Sequence, residues 1–450
     1  MMKSACFIGV RERGAVLIVM VWIVLVLAGI VLLTADGVRA FSYVSRNEAG
    51  FVRADMAGQG GVGLARAVVD GVVDEESLDE VMDVGRSYVW FISPRLDEPG
   101  QIAYVLQDLG GRVNVNTASR ELLLALPNMT ETIADAIIDW RDGDDEASEQ
   151  GAESNYYQQL DDGYYCKNDL FESVEELLLV KGMTKEILFG EDVNQNGILD
   201  ANENDGDAMW PEDNSDGVLD MGLWAYVTVD SRYANESVDG VERVNVNQGG
   251  GQNEDLRRLF EEKFSSLSRA LTVYNYSRTR GPYENVFDFY MKVEMTREEF
   301  AAVADYVTTS GEEMIEGGVN INTAEYEVIK LLPGLEESDT SAIVSAREGM
   351  DVSGGDVTWL LDAISVEKAV AIGGMIHGRS MQYLADVVVL NKDGYGYSRC
   401  CVVIDGSEGS ARVIRQYDMS HLGWPLDSMY VTGLRNAEEI ESLHRNVKYQ

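Results

Sequence analysis

From Ala15 to Ala35 no position carries a charge, and most are Val, Leu, Ile or Ala. As a helix this run spans roughly 30 Å, the thickness of a bilayer core. Beyond it Phe41, Val44, Phe51, Met56, Val62, Leu64 and Val68 fall at roughly helical spacing among polar residues, so the helix is expected to continue to about residue 70. Gly58, Gly60, Gly61 and Gly63 interrupt that stretch. Each costs up to about 1 kcal/mol against Ala, or else lets a neighbouring backbone come close. Strand-like runs follow at Ser87–Ser93, Ile102–Asp108 and Leu223–Ser231. Near the end, Gln382–Asp405 reads as a hairpin turning at Lys392–Gly394, and Ala411–Tyr417 as a third strand. A long N-terminal helix packed on a small antiparallel sheet is an α+β plan.

Between the strands the pattern turns helical and repeats. "GRVNVNTASRELLLALPNMTETIADAIIDWR" (Gly111–Arg141) aligns without a gap to "GGVNINTAEYEVIKLLPGLEESDTSAIVSAR" (Gly317–Arg347). Asn114 matches Asn320, Asn116 matches Asn322, Thr117 matches Thr323, Glu121 matches Glu327, Pro127 matches Pro333 and Arg141 matches Arg347. A partial third copy, "RVNVNQ", starts at Arg243. Each unit reads as a strand end, a polar cap, a helix, a turn at Leu-Pro and a second helix.

The chain has 77 acidic and 36 basic residues and a net charge of −41. That balance argues against a phosphate-binding surface, which needs Lys and Arg to displace counterions. The helix–Leu-Pro–helix piece resembles a helix-hairpin-helix, but with Asn128 and Met129 at the turn and acids around it, a structural insertion is expected rather than nucleic-acid binding. Four cysteines are too few for a disulfide scaffold, and free or partly paired thiols are expected at Cys166, Cys400 and Cys401. The three histidines are scattered. No nucleophile–base, zinc-protease or P-loop pattern is present, so an enzyme is not expected.

Two acidic loops carry the chemistry. "DVNQNGILDANE" (Asp192–Glu203) fits D-x-[DN]-x-[DN]-G-x5-E at every position. Asp192, Asn194 and Asn196 offer side-chain oxygens, Gly197 the sharp turn and Ile198 its carbonyl. Asp200 sits at position 9, and Glu203 closes the loop with two oxygens. Hard oxygen donors in this order suit Ca²⁺, with weak affinity on the order of 10⁻⁴–10⁻³ M because two ligands are neutral. The second loop, "DNSDGVLD" (Asp213–Asp220), echoes the first. Asn214, Asp216, the Val218 carbonyl and Asp220 would be its ligands. Leu223 fails at position 12, so Asp205, Asp207 or Asp213 is called on to complete the sphere. The expected role is structural: a cation cross-links a self-repelling acidic loop and ties the helical insertion to the sheet.

The N-terminus carries a further signal. Lys3, Arg11 and Arg13, with Glu12 as the one acid, precede Gly14, and the apolar run starts directly after it. An ordinary secretory signal has a shorter apolar core, roughly 7–15 residues. A plain single-pass anchor fits, with the short basic end in the cytoplasm. Basic residues, Gly and an immediate apolar helix resemble the leader of type IV pilins and type II secretion pseudopilins. In that family a prepilin peptidase cuts after the glycine, here between Gly14 and Ala15. Most members have Glu at the fifth mature position, paired with the amine of the subunit ahead, and here that position is Val19. A carboxylate near the membrane centre costs about 2.5–3.5 kcal/mol or more unless paired, so an apolar residue suits a subunit with none ahead of it.

Together with the VNVNTA unit and "SVEELLLVKGMT" (Ser173–Thr184), this resembles the K-type minor pseudopilin family of type II secretion. The resemblance implies a calcium-binding, non-enzymatic protein that caps and nucleates the pseudopilus. Its implied partners are the I- and J-type minor pseudopilins, the major pseudopilin and the prepilin peptidase. It would sit in the inner membrane with its bulk in the periplasm. The alternative is a membrane-anchored, calcium-stabilised binding domain outside any filament. The expected division has a leader at 1–14, a membrane span at 15–35 and a helix continuation at 36–70. Sheet strands follow at 86–116, a first helical insertion at 111–190, calcium loops at 191–222 and a returning strand at 223–247. A second helical domain at 248–380, strands at 381–420 and a tail at 421–450 complete it.

Overall fold

The computed structural model describes residues 13–75, 78, 80–206, 208–248, 253–350 and 354–448. The expected leader therefore lies outside the described residues up to residue 12, as does Asp207. One helix, Arg13–Val69, carries the whole N-terminal pattern. Its first half exposes Val16 through Leu27 and Ile30 through Leu33 along its length. By length and composition this helix is able to cross a membrane.

Its second half lies on a sheet. Ala54, Val62 and Ala65 are buried against Val89, Phe91, Val387, Val389, Val402 and Ile404. Two of the helix glycines that bear on this contact do so for steric reasons. A Cβ on Gly61 would come within 2.7 Å of the Val387 side chain, and one on Gly50 within 2.7 Å of the Tyr395 carbonyl oxygen. Asn391 Nδ2 donates to the Gly50 carbonyl at 2.8 Å, which fixes the approach. Gly60 and Gly63 face open space, so only the entropic cost remains there.

The sheet is antiparallel, in the order Met82–Val84, Ser87–Pro94, Gln382–Asn391, Tyr397–Asp405 and Arg412–Asp418. Strands on either side of nearly three hundred residues thus pair directly, with Val387 opposite Phe91; the same Val387 faces Cys400 across the C-terminal hairpin. Past the two short pairings at Ile102–Ala103 and Gln107–Asp108, the chain up to Gln382 is inserted into this one sheet. On its far face Trp90, Ile92, Val388 and Leu390 pack on Leu426, Tyr430, Leu434, Ile440 and Leu443.

Three expectations are corrected by this arrangement. Residues 421–450 are no tail: helices Ser428–Arg435 and Ile440–Lys448 cover the sheet, because Trp90 and its neighbours would otherwise face water. Leu223–Ser231 is no strand of this sheet: it opens as a 3-10 turn, Leu223–Ala225, and only Val227–Thr228 is extended. Ile102–Asp108 is broken into Ile102–Ala103 and Gln107–Asp108, each a two-residue edge pairing.

The insertion contains three units closed in the same way. Val113–Asn114 pairs parallel with Val227–Thr228, Val244–Asn245 with Val307–Thr308, and Val319–Asn320 with Ile376–His377. In each unit the first Asn side chain accepts the amide of the second Asn two residues on: Asn114 from Asn116, Asn245 from Asn247 and Asn320 from Asn322. The second Asn then donates to backbone carbonyls of a distant loop, Phe171 and Val229, Tyr283, or Asp356 and Gly378. The repeated asparagines thus stitch each unit shut. Arg141 and Arg347 end matching helices and donate to the carbonyls of Val115 and Ile321. The "RVNVNQ" copy is a complete unit, with helices Glu254–Lys263, Leu267–Ser277, Val286–Lys292 and Arg297–Val303, rather than a partial one.

Candidate metal centre

The last helix of the first unit before the acidic loops is Lys185–Phe189, and the chain turns at Gly190 into the first of them. Asp192 is fully buried and its carboxylate accepts the amides of Asn196 (2.9 Å) and Gly197 (2.9 Å). Asn194 Oδ1 accepts the Asn196 amide, and Asn196 Oδ1 accepts the Ile198 amide. Asp200 Oδ2 accepts from Asn194 Nδ2 (2.7 Å) and Asn196 Nδ2 (3.1 Å). Glu203 closes the turn by accepting the Asp200 amide at 3.0 Å. The side chains of positions 3, 5 and 9 are therefore bonded to one another, and those of positions 1 and 12 to backbone amides of the same loop. Gly197 is required twice over, by its φ of +70 and because a Cβ would meet Pro94 at 2.5 Å.

This donor set fits a hard cation. Burial, reinforced by the charges of Asp192 and Asp200, pushes the Glu203 carboxyl up to about 8. Burial and Asp200 raise Asp192 to about 6, against the opposing pull of its two amide donors and Arg399. Oxygen ligands that resist ionising side by side are what a divalent ion relieves.

The second loop repeats the backbone of the first, twenty residues on. Gln195 and Ser215 are both left-handed, as are Gly197 and Gly217. Asn214 Oδ1 accepts the Asp216 amide, and Asp216 Oδ1 accepts the Val218 amide, as Asn194 and Asn196 do. Asp220 Oδ1 instead accepts the Gly222 amide. Of the outside acids, Asp213 is taken up by backbone amides, with Oδ2 accepting from Asp205 and Gly206 and Oδ1 from Ser215. The buried Glu191 takes the closing place: it accepts the amides of Asn214 (3.3 Å) and Asp220 (3.2 Å). Glu191 thus stands to Asp220 as Glu203 stands to Asp200. It precedes the first loop in sequence, so the register of the motif does not point to it.

The loops are held on the sheet by a buried arginine. Arg399, 1% exposed on its strand, donates to the carbonyls of Asn194 (2.6 Å) and Gln195 (2.5 Å) while pairing with Asp386 at 2.6 Å. Asn196 Nδ2 also reaches the Pro425 carbonyl (2.9 Å), joining the loop to the C-terminal segment. At the other end of the molecule Val19 lies exposed in an unbroken apolar surface, and Gly14 and Ala15 lie in the first turns of the same helix. Among the described residues Cys166, Cys400 and Cys401 are free.

A membrane-length apolar stem, its lower part docked on an antiparallel sheet that carries a large helical insertion, defines the class. Within it, residues 108–189 match the family described as type II secretion system protein K, first domain. Over those residues the chain carries the domain that defines this family. The matched segment is the first helical unit and stops just before Glu191. A similar solved structure is the crystal structure of the GspK–GspI–GspJ complex from the enterotoxigenic Escherichia coli type 2 secretion system. Identity is 10% and the TM-score 0.42, over 83% of this chain and 98% of that one. No curated protein matches the chain.

Proposed function

We propose that the chain is a minor pseudopilin that nucleates and caps the type II secretion pseudopilus. The observation that carries the reading is the protein K match over residues 108–189, in a chain whose stem begins at a Gly14–Ala15 junction. In this reading the prepilin peptidase frees the Ala15 amine, and the stem sits in the inner membrane with the sheet and insertion in the periplasm. Val19 needs no partner ahead of it, as befits a tip. The partners are the I- and J-type minor pseudopilins, with the major pseudopilin below. Calcium, when bound, supplies the counter-charge that lets crowded carboxylates ionise together. Asp192, Asn194, Asn196, Asp200 and Glu203, with the Ile198 carbonyl, would hold one ion. Asn214, Asp216, Asp220 and Glu191, with the Val218 carbonyl, would hold another. Arg399 keeps the first loop on the sheet, so the loops brace the insertion against the stem-bearing domain. Affinity purification of the full chain from membranes tests the assembly. Recovery of I- and J-type minor pseudopilins is expected, and a chain that repeatedly brings none would defeat the reading.

A further inference from the structure

Another group of acids lies inside the first helical unit, well before the loops at 192–220. Helix Glu131–Arg141 ends at Asp142, and the chain continues "DGDDEASEQGAE" to Glu153. Counted from Asp142, acids fall at positions 1, 3, 5 and 12, the spacing of a calcium loop, although Ala147 replaces the glycine usual at position 6. The fold closes this span. One carboxylate oxygen each from Asp142, Asp144 and Glu153 lie within 4.8 Å of one another. Among the described residues no salt bridge reaches any of the three.

Glu153 is the residue that asks for a ligand. It is 3% exposed, and neither of its carboxylate oxygens meets an N–H or O–H donor; only a weak donor, the Cys166 thiol, bears on it. The Cys166 thiol lies beside it but is directed to the Asp139 carbonyl, at 3.7 Å. Burial pushes the Glu153 carboxyl up to about 7, opposed by the Cys166 thiol and reinforced by the charges of Asp139, Asp142 and Asp145. A buried carboxylate left bare is expensive, and one facing two further acids more so. Asn168, on a later segment packed against this loop, adds a second orphan: its Nδ2 donates to the Asp144 carbonyl (2.6 Å) and to Asp145, while its buried Oδ1 has no partner.

We infer that Asp142, Asp144 and Glu153 form a further calcium site, separate from the two loops above and independent of the secretion reading. All three donors are hard oxygens, which favours Ca²⁺ over zinc, and burial keeps the Cys166 thiol protonated, at about 12. Carboxylates at uneven spacing along an irregular loop suit the looser coordination of Ca²⁺ better than the strict octahedron of Mg²⁺. The ion would pin the end of the helix bearing Trp140 to the start of helix Ser154–Tyr157, across the 5.2 Å contact of Trp140 with Tyr157.

The test uses the full chain in detergent micelles. Calcium bound at about 1 mM, within the range of extracellular sites, is counted by equilibrium dialysis. Terbium luminescence is then read under aromatic excitation, with magnesium as competitor. Asp144 is exposed, so Asp144→Lys is compatible with folding and places a cation in the site. The expected result is the loss of one calcium equivalent in Asp144→Lys and in Glu153→Gln, with loss of the terbium signal sensitised there. Asp192→Ala should leave that signal in place. An unchanged calcium count in Asp144→Lys overturns the site. A Glu153→Gln protein that is more stable and binds as many ions as before also overturns it, since Glu153 is then only a buried neutral acid. Displacement of terbium by magnesium as effectively as by calcium overturns the choice of ion.

Discussion

Replacing Arg399 by methionine tests how the acidic loop is held. The guanidinium is buried between strand and loop, bonded to Asp386 through Nε (3.1 Å) and Nη2 (2.6 Å) and to the Asn194 and Gln195 carbonyls. Methionine fills similar volume but leaves Asp386, itself 5% exposed, without its partner. Breaking a buried pair from one side costs about 3–5 kcal/mol. The freed loop carbonyls can recover by turning to water, so the cheapest response is for the loop to leave the sheet. At about 1.36 kcal/mol per tenfold, opening of the loop should become about 10²- to 10³-fold or more easier. Hydrogen exchange followed by mass spectrometry reads this directly: the amides of Asn196, Gly197 and Ile198, now bonded inside the loop, should exchange faster by that factor. The double variant Arg399→Met/Asp386→Leu should recover most of the loss, because an apolar pair of similar volume replaces a buried ion pair at little net cost. Exchange in the loop unchanged by Arg399→Met would refute the reasoning, as would a double variant no better than the single.

The remaining predictions concern titration and packing. In calcium-free protein the folded Glu203 holds its proton to about pH 8, whereas unfolded it releases it near the ordinary glutamate value of 4.5. The folded state then binds more protons between those limits, so stability should fall as pH rises through that window. Glu203→Gln should flatten the fall, and so should saturating calcium, as thermal melts from pH 4.5 to 8.5 will read. Gly50→Ala should destabilise docking of the stem by about 1–3 kcal/mol from overpacking against a carbonyl that cannot yield, offset in part by helix propensity. Gly60→Ala, which meets nothing, should gain up to about 1 kcal/mol; both are measured by denaturant titration.

The stem and the antiparallel sheet were legible in the sequence because their signals are local. An uncharged run of membrane length and the long apolar runs around Val387 and Val402 each imply one conformation. Leu223–Ser231 looked like a strand for the same reason, yet its hydrophobic residues are buried in the insertion core, and Val227 pairs only with Val113. The C-terminal helices were hidden because they are short and their apolar residues, Tyr430, Leu434, Ile440 and Leu443, acquire meaning only opposite Trp90. In the middle unit Val244–Asn245 was recognised, but helices 254–303 lack the Leu-Pro turn and so did not register as a copy. The first acidic loop was readable because all its side chains come from one stretch of chain. Glu191 and Arg399 were not, since one stands outside the register it serves and the other lies about two hundred residues away.

The central claim, that this is a processed pseudopilin stem, is met most directly by the mass of the N-terminal peptide from chains extracted from cell membranes. The account predicts a mature chain that starts at Ala15, with residues 1–14 removed. A chain that retains Gly14 and the basic residues before it would contradict the account.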